Sequence, residues 1–164
     1  MKHLGLYIHV PFCKQKCNYC DFYSCASSKR VSSYINALIT HIKAEAPLYK
    51  DYEIDSVFFG GGTPSLLEAS DFERIAEALK DSFNFSNDCE FTVEANPGTI
   101  SREKLLSYKK SGVNRLSIGL QSTFDDKLRE LGRIHTHRAY EGAFRLQSCL
   151  FNRDVLNQRS KIQS

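Results

Sequence analysis

The sequence predicts an α/β protein built on a parallel sheet, and three observations lead there. Short β-branched and aromatic runs alternate with longer stretches whose apolar residues recur at the helical interval. The connections between them are short, which suits repeated strand–helix units. The polar and glycine-rich clusters come directly after the strands, where parallel sheets gather their ligands. With 164 residues, 41% of them hydrophobic and 25% charged, the chain is long and apolar enough for one real core.

Residues 4–9 predict a first buried strand, cut off by Pro11. Residues 33–50 carry Ile35, Leu38, Ile39 and Ile42 at helical spacing. Residues 54–59 form a second strand, stopped by Gly60, Gly61 and Gly62. Ser70 with Glu73 has the form of a capping box opening a helix whose core face is Phe72, Ile75, Ala76, Leu79 and Phe83. The third strand is 90–95, ended by the turn signal Asn96-Pro97-Gly98. A helix over 102–111 closes at Gly112, a strand follows over 115–120, a short helix over 123–131 ends at Gly132, and 139–150 is helical again. Four landmarks then share one sheet edge: the cysteine loop after strand one, the glycines after strand two, Glu94 near the end of strand three and Gln121 after strand four.

Bulk properties exclude several function classes. The net charge of +3 arises from 22 basic and 19 acidic residues spread along the chain, with no basic stripe for nucleic acid. No apolar run approaches the ~20 residues of a membrane span. The N-terminal stretch has no long apolar core and no small-residue cleavage site. These features predict a cytoplasmic protein. Six cysteines in a reducing compartment argue for thiols rather than a disulfide framework. Cys25, Cys89 and Cys149 have no partner spacing and read as buried or half-buried thiols.

Cys13, Cys17 and Cys20 are different. Their Cys-x3-Cys-x2-Cys spacing within HVPFCKQKCNYCDF supplies three thiolates, whereas a cubane iron–sulfur cluster usually takes four. One iron would stay open to a small molecule. Zinc is the competing reading; it wants a closed set of four, which Cys25 or a histidine could complete. A shared helix face is the other, but Pro11 and the polar Lys14-Gln15-Lys16 oppose it.

The stretch YIHVPFCKQKCNYCDF resembles the radical S-adenosylmethionine (radical SAM) superfamily. With FFGGGTPSLL, VEANPG, GVNRLSIGLQS and LGRIHT, the likeness to the oxygen-independent coproporphyrinogen III oxidase group runs from residue 4 to about 146. The coproporphyrinogen dehydrogenases of that group have a fourth cysteine where this chain has Phe22; the Cys-Asp-Phe ending is similar to the heme chaperone (HemW) branch instead. The resemblance implies an incomplete radical SAM partial (β/α) barrel, with about four βα units of the usual six. It implies a 4Fe-4S cluster on Cys13, Cys17 and Cys20, whose open iron takes S-adenosyl-L-methionine and cleaves it to a 5′-deoxyadenosyl radical.

By the same likeness Tyr7, Tyr19, Gly61, Gly62, Thr63, Glu94, Gln121 and Arg133 contact that cofactor. Gly61, Gly62 and Thr63 match contacts to its methionine end, Tyr19 an aromatic near adenine, and Glu94 an acceptor for its hydroxyls. Read without it, Tyr7 is a strand aromatic, the glycines a tight turn, Glu94 a solvated strand-end carboxylate and Arg133 a helix-end cation. His135 and His137 read as solvated loop histidines with no role.

The likeness fails after about residue 146. It therefore implies residues 1–146 as the N-terminal part of a radical SAM core, 147–164 as a divergent tail and no C-terminal domain. Gln158 stands where the family has an aspartate, and no fifth strand is legible. A truncated or frameshifted product is the expectation, with an unpaired last strand and poor solubility or dimerisation. The leading functional reading is a heme-chaperone-type protein of heme and porphyrin metabolism. In the full-length family, heme and a heme-accepting protein are its partners. The alternatives are a coproporphyrinogen III oxidase acting on a porphyrinogen, and a non-catalytic zinc-binding or interaction module. Enzyme activity in the strict sense is left open by the sequence.

Overall fold

A computed structural model of the chain describes residues 2–27 and 29–151. Strand β1 (Lys2–Val10) leads through the cysteine loop to helix α1 (Val31–Glu45), which continues as a 3-10 turn over Ala46–Tyr49. Next come β2 (Tyr52–Gly61), a 3-10 turn at Pro64–Leu66 and α2 (Ala69–Ser82). The third unit is β3 (Asn84–Ala95), a 3-10 turn at Pro97–Thr99 and α3 (Arg102–Lys110). The last described elements are β4 (Arg115–Ile118), α4 (Asp125–Glu130) and α5 (His137–Leu150). The strands pair in the order β1-β2-β3-β4, every pair parallel. The α/β class and parallel sheet are as the sequence predicts.

Alternation along the strands decides what each face does. Ile8, Val10, Val57, Phe59, Phe91, Val93 and Leu116 are buried in one core with Phe72, Ile75 and Leu79 of α2 and Leu105 and Tyr108 of α3. Phe72 is the hub: its ring centroid lies 4.9 Å from Phe59 and 4.5 Å from Tyr108. The intervening residues Tyr7, His9, Phe58, Glu94 and Ser117 therefore point to the opposite face, away from the helices. That face carries the polar chemistry.

Tyr108 is 1% exposed, and its hydroxyl is the buried side-chain polar atom without a partner among the described residues. Burial pushes its phenol far above the ordinary range. A buried hydroxyl without a hydrogen bond costs more than a missing one. Tyr108→Phe should therefore raise stability by about 1 kcal/mol, read as a higher melting temperature.

Some local expectations are corrected. Helix α2 starts two residues early, at Ala69 with Glu68 in the capping position, so Ser70 lies inside the first turn and makes no capping bond. The caps that form are Ser101, accepting from the Lys104 N–H, and Thr136, accepting from the Ala139 N–H. Strand β3 begins six residues before its predicted start, because Asn84 and Phe85 pair with Glu53 and Ile54 before the register skips to Glu90 opposite Ser56. Cys89 is half-buried as expected, but Cys25 and Cys149 are exposed. Cys149 lies off the inward stripe of α5, where Ala143, Leu146, Gln147 and Leu150 face the core. Phe151, beyond that stripe, is buried in the same core. Gln158 and the tail from residue 152 onward lie outside the described residues.

Candidate functional site

The cysteine loop is tied down at both ends. Pro11 ends the β1 pairing, and the loop closes on itself where Cys13 N–H donates to the Cys25 carbonyl (3.0 Å) and Cys25 N–H to the Pro11 carbonyl (2.8 Å). Its middle is docked on the end of α4. Asn18 donates from its backbone to the Leu131 carbonyl at 3.2 Å and from its side chain to the Glu130 carbonyl at 2.9 Å, while Gln15 reaches the Gly132 carbonyl at 3.3 Å. Carbonyls left unpaired at a helix C-terminus thereby find donors. The polar residues between the cysteines are what anchor the loop.

Directly below lies the glycine turn at the end of β2. Gly62 N–H donates to the Val10 carbonyl and Thr63 N–H to the Phe12 carbonyl, both at 2.8 Å. A Cβ on Gly62 would sit 2.7 Å from the Phe12 oxygen and 2.8 Å from the Val10 oxygen, so only glycine lets the two loops approach this closely. Gly61 has φ +102°, a conformation side chains resist.

A cavity of about 250 Å³ opens between these loops and the C-terminal ends of β3 and β4. Tyr19, Gly61, Gly62, Thr63, Glu94, Gln121 and Arg133 line it, together with Cys20 and Phe22. Seven of the eight expected cofactor residues thus face one space. Tyr7 does not line it; its ring stacks on Phe58 with centroids 6.1 Å apart, and its hydroxyl lies 3.3 Å from His9 Nδ1. Gln121 holds φ +59°, an uncommon backbone conformation for a residue with a side chain.

Electrostatics distinguish the carboxylate. Burial pushes the Glu94 carboxyl above its usual range, partly offset by the Gly61 N–H that hydrogen-bonds it. The folded pKa is raised, so this contribution to stability is complete below the ordinary carboxylate range and is lost as pH rises through the raised value. Glu94 is therefore a half-buried carboxyl reached by a backbone donor, not a fully solvated one. Arg133 also departs from the helix-end reading: Nη1 donates towards Cys17 Sγ (3.6 Å) and Tyr19 Oη (3.3 Å), and Nη2 to Asn96 Oδ1 (2.8 Å). Burial lifts the Tyr19 phenol while the Arg133 charge holds it down.

Two residues escaped the sequence reading. His135 is 7% exposed, with Nε2 3.3 Å from the Leu120 carbonyl. Burial, and then the Arg133 charge, lower its pKa. Its position in a loop hid this; only the fold folds that loop inward. Asn96 hydrogen-bonds both Thr63 and Arg133. Within Asn-Pro-Gly it carries a turn signal that masks any other role.

A model of the radical SAM superfamily matches residues 7–148. The chain belongs to that superfamily. It is 39% identical over 160 residues to the heme chaperone HemW of Escherichia coli, covering 94% of this chain and 42% of that protein. It is 42% identical over 137 residues to HemW of Buchnera aphidicola, covering 82% and 36%. Among solved structures it is similar to coproporphyrinogen III oxidase (HemN) of Escherichia coli, with a TM-score of 0.85 and 26% identity over 92% of this chain and 35% of that one. The four parallel strands thus match part of a radical SAM partial barrel. The chain is HemW-like, and it spans about two fifths of the length of the curated relatives it matches.

Radical SAM proteins in general carry a 4Fe-4S cluster and S-adenosylmethionine. The residues here fit both groups. Cys13, Cys17 and Cys20 are free and half-buried, and two of their sulfurs face donors: Thr63 Oγ1 towards Cys13 and Arg133 Nη1 towards Cys17, each at 3.6 Å. Among the described residues no three of His, Cys, Asp and Glu converge on a point as a single ion requires. A cluster binds one thiolate per iron, so its ligands need not share one atom. No helix among the described residues is long and apolar enough to cross a membrane.

Proposed function

We propose that this chain forms the cluster- and cofactor-binding part of a heme-chaperone-type radical SAM protein acting in heme and porphyrin metabolism. The observation that carries the reading is the cavity lined together by Cys20, Thr63, Arg133 and the half-buried Glu94, with Thr63 and Arg133 also donating towards Cys13 and Cys17. Cys13, Cys17 and Cys20 would hold a 4Fe-4S cluster, which when bound would supply the one-electron reduction of S-adenosylmethionine. The backbone at Gly61 and Gly62 lines the part of the cavity that takes the methionine end. Arg133 offers guanidinium donors to a carboxylate. Glu94, half-buried on the cavity wall, accepts from ribose hydroxyls. Tyr19, half-exposed over the cavity, covers the adenine. Gln121 borders the same space from the turn after β4, whereas Tyr7 lies outside that lining on β1.

Heme handling rests on the HemW relatives and on Phe22, which lines the cavity mouth where the oxidase branch has a cysteine. The second reading, oxidative decarboxylation of coproporphyrinogen III, is favoured by the likeness to HemN. Anaerobic incubation of the cluster-loaded protein with S-adenosylmethionine, a reductant and coproporphyrinogen III separates them. Absence of vinyl product is expected, and its catalytic formation would replace the chaperone reading with the oxidase one.

A further inference from the structure

We propose that Asn96 is a positioning residue whose single side-chain amide sets the hydrogen-bond donors facing two cluster thiolates, and thereby the reduction potential of the cluster. The inference deepens the reading above and rests on Cys13 and Cys17 being cluster ligands.

The direction of every bond follows from donor chemistry. A guanidinium only donates, so the Asn96 atom 2.8 Å from Arg133 Nη2 is the carbonyl oxygen. The amide nitrogen then faces Thr63 Oγ1 at 3.1 Å and donates to it. A hydroxyl has one proton. With its oxygen engaged as an acceptor, Thr63 turns that proton to Cys13 Sγ at 3.6 Å. On the other side, holding Nη2 fixes the guanidinium plane, which aims Nη1 at Cys17 Sγ at 3.6 Å. One amide thus orients both donors.

Asn96 is itself held in place by its backbone. Its N–H donates to Ser65 Oγ at 3.1 Å, and its carbonyl accepts from Thr99 Oγ1 at 2.8 Å and from the Thr99 N–H at 3.0 Å. Ser65 is fully buried, and Thr63 is 4% exposed. Pro97 restricts Asn96 to an extended conformation, observed at φ −97° and ψ 139°. All four polar groups of the residue are therefore committed. A turn alone would need none of the side-chain pair.

Hydrogen bonds to the sulfurs of an iron–sulfur cluster stabilise its more negative, reduced form and raise its potential. Asn96→Asp keeps the size and the acceptor for Arg133 but cannot donate to Thr63. The Thr63 proton would turn to the new carboxylate and away from Cys13. Thr63→Val removes the same proton directly. The added negative charge of the aspartate also lowers the potential, so the two effects are separated by a double-mutant cycle.

The test is anaerobic reconstitution of the chain with iron and sulfide, followed by potentiometric titration monitored by electron paramagnetic resonance. Failure of the unaltered chain to take up a cluster would overturn the underlying reading; the inference on Asn96 is judged on a loaded protein. Each single variant is expected to load and to show a potential lowered by more than ~59 mV, the one-electron equivalent of a tenfold change. The double variant should fall short of the sum. Additive shifts, or a Thr63→Val potential equal to that of the unaltered chain, would overturn the proposal. Should Asn96→Asp not fold, the Thr63→Val potential alone decides.

Discussion

Replacing any one of Cys13, Cys17 and Cys20 by alanine should lower the iron and sulfide retained after anaerobic reconstitution by at least ~10-fold. The three thiols of the pattern sit on one loop, so losing one leaves two of its ligands for a four-iron cluster. The loop itself should survive, because its anchors are the backbone bonds to Cys25, Pro11 and Leu131 and the side chains of Gln15 and Asn18, none of which uses a sulfur. The loss is therefore of ligation and not of folding, and the melting temperature of the metal-free protein should be unchanged. Cys149→Ala, on the exposed side of α5, should retain its full iron content. Equal iron in all four variants would remove the cysteine loop from the account.

Gly62→Ala should cost about 1–3 kcal/mol and disturb the site at its centre. The new methyl group meets two backbone oxygens, of Phe12 and Val10, below 3.0 Å. Backbone atoms cannot move aside by changing rotamer, so the glycine turn and the cysteine loop must separate. The Gly62 and Thr63 N–H bonds across that seam, both 2.8 Å, would lengthen or break. Circular-dichroism melting should show the loss as a fall of roughly 2–4 °C per kcal/mol for a domain of this size, and cluster uptake should fall with it. Gly142→Ala is the matched control: a Cβ there meets nothing within 4 Å, and alanine suits a helix interior better than glycine. It should hold or raise the melting temperature.

These two sites show what the sequence exposes and what it conceals. The cysteine spacing and the triple glycine are legible because their chemistry is written in residue type. The strand–helix alternation is legible because β2, β3 and α2 keep clean periods, as in Val57-Phe59 and Phe72-Ile75-Ala76-Leu79. Asn96 is concealed because its two partners lie 33 and 37 residues away along the chain. His135 looks solvated until the turn after β4 closes over it. The early start of β3 is concealed because Asn84 is polar and its pairing is decided by β2. Ser70 misleads for a local reason: with Glu68 already extended at φ −67° and ψ 155°, the helix begins before the apparent box. Residues whose role depends on a distant partner are the ones that pattern reading loses.

The central claim is that three half-buried thiols hold a cluster with one iron free for S-adenosylmethionine. Anaerobic reconstitution, followed by low-temperature electron paramagnetic resonance of the reduced protein with and without that compound, tests it most directly. The account predicts about four irons per chain and a changed spectrum when the sulfonium compound is added. A single bound zinc, or a fully loaded cluster whose spectrum ignores the addition, would contradict it.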